Sequence, residues 1–159
     1  MGCPFTIREL EEELAERLEL LDASPFDQNR DGTRPARWRE ATVPLSVLED
    51  AGPLEHLLFN VWVERSQNSE ERRDQAGQFA KLESSVVVAF LYNLRPSDQL
   101  ADARLASDAG HAIAQALMAR DLARLVDVRL VDAWRPLLSE SGTKLLGAVR
   151  FLVAHDLRL

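Results

Sequence analysis

Apolar residues near the start of the chain recur every three or four positions, which is the spacing of an amphipathic helix. They lie at Ile7, Leu10, Leu14, Leu18 and Leu21. Thr6 and Glu9 have the spacing of a capping box, in which each side chain accepts a hydrogen bond from the other residue's backbone N–H. The pattern predicts a helix over 6–22.

The next segment, 23–53, has no sustained apolar period. Four prolines and two glycines interrupt it, and residues of these types favour turns and irregular backbone. The segment therefore predicts a long irregular excursion, in which 42–48 forms a short strand or turn. Connections of this length inside a compact domain are usually functional or partly disordered.

Alternating side chains then predict a β-hairpin over 57–94, with strands at 57–65 and 82–94. In the first strand, Phe59, Val61 and Val63 share one face, whereas Asn60 and Trp62 lie on the other. The connection 66–78 is polar throughout, which predicts an exposed, mobile loop.

The second half of the chain predicts a helix over 97–120 and another hairpin over 125–156. Pro96 ends the preceding strand because proline cannot donate to a β-ladder, and Ser97 or Asp98 then caps the helix. The order α-β-β-α-β-β predicts one domain over 1–159 of the α+β class. We expect an antiparallel or mixed sheet with the helices on one face.

The strand at 82–94 differs from the others because it is apolar on both faces. Both faces need cover, and in a chain of this length we expect a neighbouring copy to supply much of it. This predicts assembly, with an aromatic anchor at Trp62 and with acidic and basic patches that meet between copies. The candidate interface residues are Trp62, Val87, Leu91, Glu12, Glu16, Arg34 and Arg37.

Net charge, cysteine content and the length of the apolar runs argue against several classes of protein. The net charge of −7 argues against a general nucleic-acid binder, which is usually basic. The single cysteine, Cys3, excludes an internal disulfide framework and a cysteine-based zinc site. No apolar run reaches the length of a membrane helix, and no signal peptide is evident. We therefore expect the protein to be made and used in a cytosol-like space.

Two groups of residues are candidates for metal binding. The segment 27–32 matches the first half of an EF-hand loop, but Trp38 stands where a bidentate Glu is needed. Asp98 and Asp102 are one turn apart near the start of the predicted second helix, and Asp108 and His111 are neighbours further along it. Early acidic residues also suit the helix dipole. No nucleophile elbow or phosphate-binding loop is present, so we expect no enzyme activity and no cofactor. A metal-dependent enzyme or a ligand-binding α+β domain stays open as an alternative.

Three stretches together resemble a known family. They are the strand Val86–Tyr92 (VVVAFLY), the turn and helix start Arg95–Gln99 (RPSDQ), and the closing strand Val149–Val153 (VRFLV). With the α-β-β-α-β-β order, they resemble the tail terminator, or tail completion, proteins of long-tailed bacteriophages and phage-like particles. The likeness runs from Thr6 to the C-terminus, and the excursion 23–53 matches least well.

The resemblance implies a hexameric ring at the head-proximal end of the tail, assembled in the host cytoplasm. The ring stops polymerisation of the tail tube and provides the surface that docks onto the head. Its partners would be other copies of itself, the tail tube protein and the head–tail connector, with DNA passing through the lumen without specific binding and no membrane involved. Another neck, connector or tail-tube-like structural protein is the alternative. Neither the tail type, contractile or not, nor the choice between phage and gene transfer agent follows from the resemblance.

Overall fold

The computed structural model describes residues 6–23, 26, 37–42, 57–68, 79–118, 127–133, 137–139 and 142–158. In chain order the elements are α1 (Ile7–Glu19), β1 (Arg39–Glu40), β2 (Leu58–Asn68), β3 (Phe79–Asn93), α2 (Gln99–Met118), β4 (Asp127–Ala133), β5 (Leu137–Leu138) and β6 (Lys144–Arg158).

Helix α1 begins with the predicted capping box. The Glu9 amide donates to Thr6 Oγ1 at 3.2 Å, and the Thr6 amide donates to Glu9 Oε2 at 2.7 Å. The apolar stripe is buried at Leu10, Leu14 and Leu18. The helix ends at Glu19, three residues before the predicted end, and Leu20 forms its C-cap.

The described strands form one six-stranded sheet in the order β1-β2-β3-β6-β4, and β5 also pairs with β6. Pairing is antiparallel except between β1 and β2, so the sheet is mixed. The predicted α+β class and the antiparallel β2–β3 hairpin are confirmed. Strands β1 and β5 have two residues each, too few for an alternating pattern to reveal.

Both helices pack on the same face of the sheet. Leu14 of α1 and Ile113 of α2 belong to one core cluster with Phe59, Val88 and Phe151, which point inward from three neighbouring strands. Because β-strand side chains alternate, the residues between these positions lie on the opposite, outer face. The sheet therefore has a helix-covered inner face and an outer face without a described helix.

Strand β3, which is apolar on both faces, is covered differently from our expectation. Val86, Val88 and Phe90 are buried on the inner face, but Val87 and Leu91 on the outer face are also only 1% and 0% exposed. Leu91 forms a second small cluster with Leu58, packed by Ala41, Ala89 and Leu146. The expectation that a neighbouring copy supplies much of the cover is wrong, because the chain buries these side chains itself.

The long excursion is more ordered at one point than its composition indicated. Trp38 is buried in the core with its ring edge-on to Phe90, at 6.0 Å between centroids and 87° between planes. It directly precedes β1, whose parallel pairing with β2 the sequence did not predict. The rest of 23–53 lies mainly outside the described residues, as do all but Thr42 of the predicted strand or turn at 42–48 and positions 69–78 of the predicted loop 66–78.

Two boundaries of the predicted hairpin 57–94 shift. Residues 66–68 continue β2 instead of starting a loop, and β3 begins three residues earlier than predicted, at Phe79. In β4 a β-bulge between Leu130 and Asp132 interrupts the regular pairing with β6. Neither described helix is long and apolar enough to cross a membrane.

Candidate assembly surfaces

Trp62 is the large aromatic side chain of the outer face. It is 40% exposed and lies opposite Val87 of β3, which in turn lies opposite Arg150 of β6. The Arg150 guanidinium donates to both carboxylate oxygens of Glu64, at 3.1 and 3.3 Å. Since Glu64 is on β2, this ion pair crosses over β3 and, together with Trp62, covers Val87.

The row beside Trp62 consists of short side chains. Asn60 of β2 lies opposite Ala89 of β3, and Ala89 lies opposite Ala148 of β6. Tryptophan is enriched among the residues that contribute most to protein interfaces, so Trp62 is the candidate anchor of the outer face.

Helix α1 presents an acidic surface next to β1. Glu12 and Glu16 are exposed, and Glu12 is paired with Arg8 at 2.7 Å. Partial burial, followed by the carboxylates of Glu19, Glu11 and Glu12, raises the pKa of Glu40 in β1. The raised pKa indicates that the negative charges lie close enough to repel one another.

Arg37 belongs to the predicted basic patch. It is exposed and forms an isolated β-bridge with Asp22, just beyond the end of α1. The meeting of acidic and basic patches between copies stays a prediction. Arg34 lies outside the described residues.

The predicted interface residues thus fall into two groups. Trp62, Glu12, Glu16 and Arg37 are exposed, whereas Val87 and Leu91 are buried within the chain. The interface role stays a prediction for all of them, and the exposed group can contact a partner without any rearrangement.

Asp102 of α2 stabilises the turn that precedes this helix. Asp102 is fully buried and accepts hydrogen bonds from the Arg95 amide at 2.6 Å and from the Arg95 guanidinium at 2.8 Å. The hydrogen bond to Asp102 is the main cause that raises the pKa of Arg95. Asp98 is 3.9 Å from the same guanidinium, and His111 is exposed. The arrangement clamps the Arg95–Asp98 turn to the first turn of α2.

This clamp does not produce a metal site. Within the ranges that the structure describes, no three His, Cys, Asp or Glu residues lie together in a way that could hold a metal ion. Asp102 already directs both carboxylate oxygens at Arg95. The calcium-loop candidate at 27–32 lies outside the described residues.

A row of polar side chains crosses β2, β3 and β6 on the inner face. Ser66 Oγ is 2.7 Å from Ser84 Oγ, which is 2.7 Å from His155 Nε2. A serine beside a histidine is also the arrangement of an activated nucleophile. Ser84 and His155 are both fully buried, however, so a substrate cannot reach them, and the row links three strands.

Sequence reasoning did not predict a group of exposed apolar side chains in β4 and β5. Val131 of β4 and both residues of β5, Leu137 and Leu138, are largely exposed. Apolar and charged residues alternate regularly from Asp127 to Leu130, and this regular pattern gives no sign of the bulge that follows. The adjacent leucines after Pro136 were the available signal, since neighbouring strand residues point to opposite faces.

Comparison with solved structures shows what the fold is similar to. No protein-family model matches the chain, and no curated protein matches it significantly. The fold is similar to that of a chain in a solved structure described as the virion of a native gene transfer agent particle. The TM-score is 0.57 at 17% sequence identity, and the similarity covers 96% of this chain and 98% of the other. At this identity the similarity shows a shared fold.

Proposed function

We propose that this protein is a structural subunit of a phage-like virion and, more specifically, a tail terminator. The observation that carries the proposal is the fold similarity to a chain of a gene transfer agent virion over nearly the whole of both chains. It agrees with the resemblance found in 86–92, 95–99 and 149–153, which was reached from sequence alone. In this function, a ring of copies ends the tail tube and presents the surface for the head.

The described surfaces support an assembling protein. Trp62 is 40% exposed on the outer face, and the acidic surface of α1 and β1 agrees with the net charge of −7. An acidic subunit suits a channel through which DNA must slide, because like charges suppress the counterion-release binding that basic proteins show. Strand β3 is apolar on both faces, but one copy of the chain buries both of them. This strand is therefore not an argument for a ring.

Deletion of the gene in the particle-producing cell tests the function. Loss of a terminator leaves tube growth unchecked, so electron microscopy should show overlong tails or tails not joined to heads. Loss of a neck protein would instead give finished tails and heads that leak DNA. Normal particles after deletion would contradict both functions. Expression of the wild-type chain from a plasmid should restore tail length.

The outer face provides a second test. Trp62→Glu should reduce assembly into rings or onto tubes, because a charge replaces the exposed aromatic anchor. Gln115→Glu is the matched control, because it adds the same charge at an exposed position of α2, away from the outer face. Light scattering after size exclusion measures the assembled mass, and circular dichroism checks that both variants fold. An unchanged assembled mass for Trp62→Glu would remove Trp62 from the interface.

A further inference from the structure

The edge of β2 is longer than the strand that pairs with it. Among the described residues, β1 pairs with only the first two residues of β2. The Phe59 carbonyl accepts from the Ala41 amide at 2.8 Å, so the backbone groups of Phe59 point away from β3 and towards the edge. Backbone groups of alternate residues in a strand point in the same direction. Those of Val61 and Val63 therefore also lie at this edge.

A side chain from α1 occupies the edge at Val63. The Val63 amide donates to Glu11 Oε1 at 2.9 Å. Glu11 is only partly buried, but Leu10 and Leu14 of the same helix are 0% and 1% exposed. Packing of these leucines in the core fixes α1 and thereby holds the Glu11 carboxylate beside the strand. A hydrogen bond from an amide to a carboxylate is also stronger than one between neutral groups.

An open strand edge can pair with the edge of another sheet, and native proteins have features that prevent this pairing. The side chains at 64–67 are exposed, so another protein can reach this part of β2. Every copy of the chain carries the same edge, and two such edges can pair around a two-fold axis. A pairing that includes Val63 needs its N–H, which the Glu11 carboxylate already binds.

We propose that Glu11 protects the β2 edge against pairing with the β2 edge of a second copy. A competing strand has to displace the Glu11 carboxylate before it can accept a hydrogen bond from the Val63 amide. The inference goes beyond the proposed function, because it concerns a contact that this fold has to avoid in any assembly.

Negative charge beside the edge acts in the same direction. Partial burial, followed by the carboxylates of Glu19, Glu11 and Glu12, raises the pKa of Glu40 in β1. These carboxylates therefore lie near the edge, and a second copy paired there would bring the same charges close to them. Since Glu11 contributes both a charge and a hydrogen bond, the test has to separate the two.

The experiment uses the full chain with four single substitutions. Glu11→Ala removes the acceptor, and Glu11→Asp keeps the charge on a side chain that is one methylene shorter and loses the contact to Val63. Glu11→Gln keeps an acceptor oxygen without the charge. Glu12→Ala is the charge-matched control, because Glu12 is exposed and contacts Arg8 at 2.7 Å.

Hydrogen exchange of backbone amides in dilute and in concentrated protein measures the contact and the pairing. In dilute Glu11→Ala and Glu11→Asp we expect the Val63 amide to exchange about tenfold faster than in the wild type, because it has lost its acceptor. In concentrated samples of these variants the amides of 61–67 should become protected, and light scattering should show a larger mass than the wild type has at the same concentration. Glu11→Gln and Glu12→Ala should behave as the wild type.

Three results would overturn the inference, and none of them affects the terminator function. Unchanged exchange at Val63 would show that Glu11 does not hold the amide. Faster exchange without protection or added mass at high concentration would show that the hydrogen bond only stabilises the fold. Association of Glu11→Gln or Glu12→Ala as strong as that of Glu11→Ala would assign the protection to charge. Thermal melting followed by circular dichroism confirms folding, and Glu11→Asp decides the question if Glu11→Ala does not fold.

Discussion

The ring of Phe90 lies over the backbone of Gly147, which is directly opposite in the β3–β6 pairing. An ideal Cβ at Gly147 would be 2.5 Å from Cε1 of that ring and closer still to Cζ. On the other side, a Cβ at Gly110 of α2 would be 3.5 Å from Cζ, an ordinary van der Waals distance. The aromatic ring thus joins helix and sheet, and only the sheet side requires glycine.

Gly147→Ala should destabilise the protein by about 1–3 kcal/mol, because the added methyl group overlaps a fully buried ring. Gly110→Ala is the matched control: it adds the same atom near the same ring without overlap. Because alanine favours a helix interior, it should raise stability by up to about 1 kcal/mol. Urea unfolding measures both. Equal losses at the two positions would contradict the steric explanation.

A smaller residue at position 90 tests the same contact. Phe90→Leu alone should cost roughly 1–3 kcal/mol through lost packing. In the Phe90→Leu, Gly147→Ala double variant the two costs should not add, since the overlap is relieved. A coupling energy near zero in this double-mutant cycle would show that the two residues act independently.

Asp102→Asn tests the clamp that precedes α2. The substitution removes the charge that the Arg95 guanidinium contacts at 2.8 Å, and charged hydrogen bonds of buried groups contribute about 1–3 kcal/mol. Asp98→Asn is the control, because Asp98 is half exposed and 3.9 Å from Arg95; it should change stability by less than about 0.5 kcal/mol. Similar losses of stability for both variants in denaturant unfolding would mean that Asp98 stabilises the turn as much as Asp102 does.

Ser84→Ala tests the row that links β2, β3 and β6. It removes the hydroxyl that is 2.7 Å from both Ser66 Oγ and His155 Nε2. We expect a loss of roughly 1–3 kcal/mol, because fully buried polar groups lose a hydrogen-bond partner. Ser85→Ala, whose hydroxyl makes a long 3.4 Å contact to Glu64, should be nearly neutral. A neutral Ser84→Ala would mean that the row contributes nothing to stability.

Glu40→Gln tests the acidic surface through its pH dependence. Partial burial and the neighbouring carboxylates raise the pKa of Glu40 above its usual 4.5, so the folded state binds this proton more tightly than the unfolded state. Stability therefore falls as the pH rises from the unfolded pKa through the folded one. At pH 7 the Gln variant should be more stable, by less than about 0.5 kcal/mol because water screens the charges.

The advantage of Glu40→Gln should vanish below pH 4, where both proteins are uncharged at this position. Glu19→Gln removes one of the carboxylates that raise the pKa of Glu40. In that background Glu40→Gln should stabilise less at pH 7. Chemical unfolding from pH 3 to pH 8 measures both effects, and a stabilisation that is equal at all pH values would contradict an electrostatic origin.

Particular residues show how far sequence reasoning reached. The stripe Leu10, Leu14 and Leu18 predicted α1 and its buried face, because helical neighbours are local in the chain. The alternation around Trp62 placed that residue on the outer face. Val87 and Leu91 were misread, because the pattern shows that both faces of a strand need cover without showing which residues supply it.

The site was predictable only where local pattern decides exposure. Glu12, Glu16 and Trp62 are exposed, whereas the exposure of Val131 was missed because a bulge is a feature of strand pairing, not of composition. The burial of Asp102 was also missed. An acidic residue in the first turn of a helix usually faces water, and only the path of the preceding turn places Arg95 over it.

The amino-acid order alone determined the α+β class, the main helices and strands and the inner face of each, since these depend on spacings of a few residues. Tertiary structure decided that β6 lies between β3 and β4, that Gly147 accommodates the Phe90 ring, and that one copy buries both faces of β3. These features depend on contacts between residues far apart in the chain. Such contacts depend on the path of the whole backbone, on strand register and on side-chain volumes. The pattern of a few neighbouring residues does not contain this information.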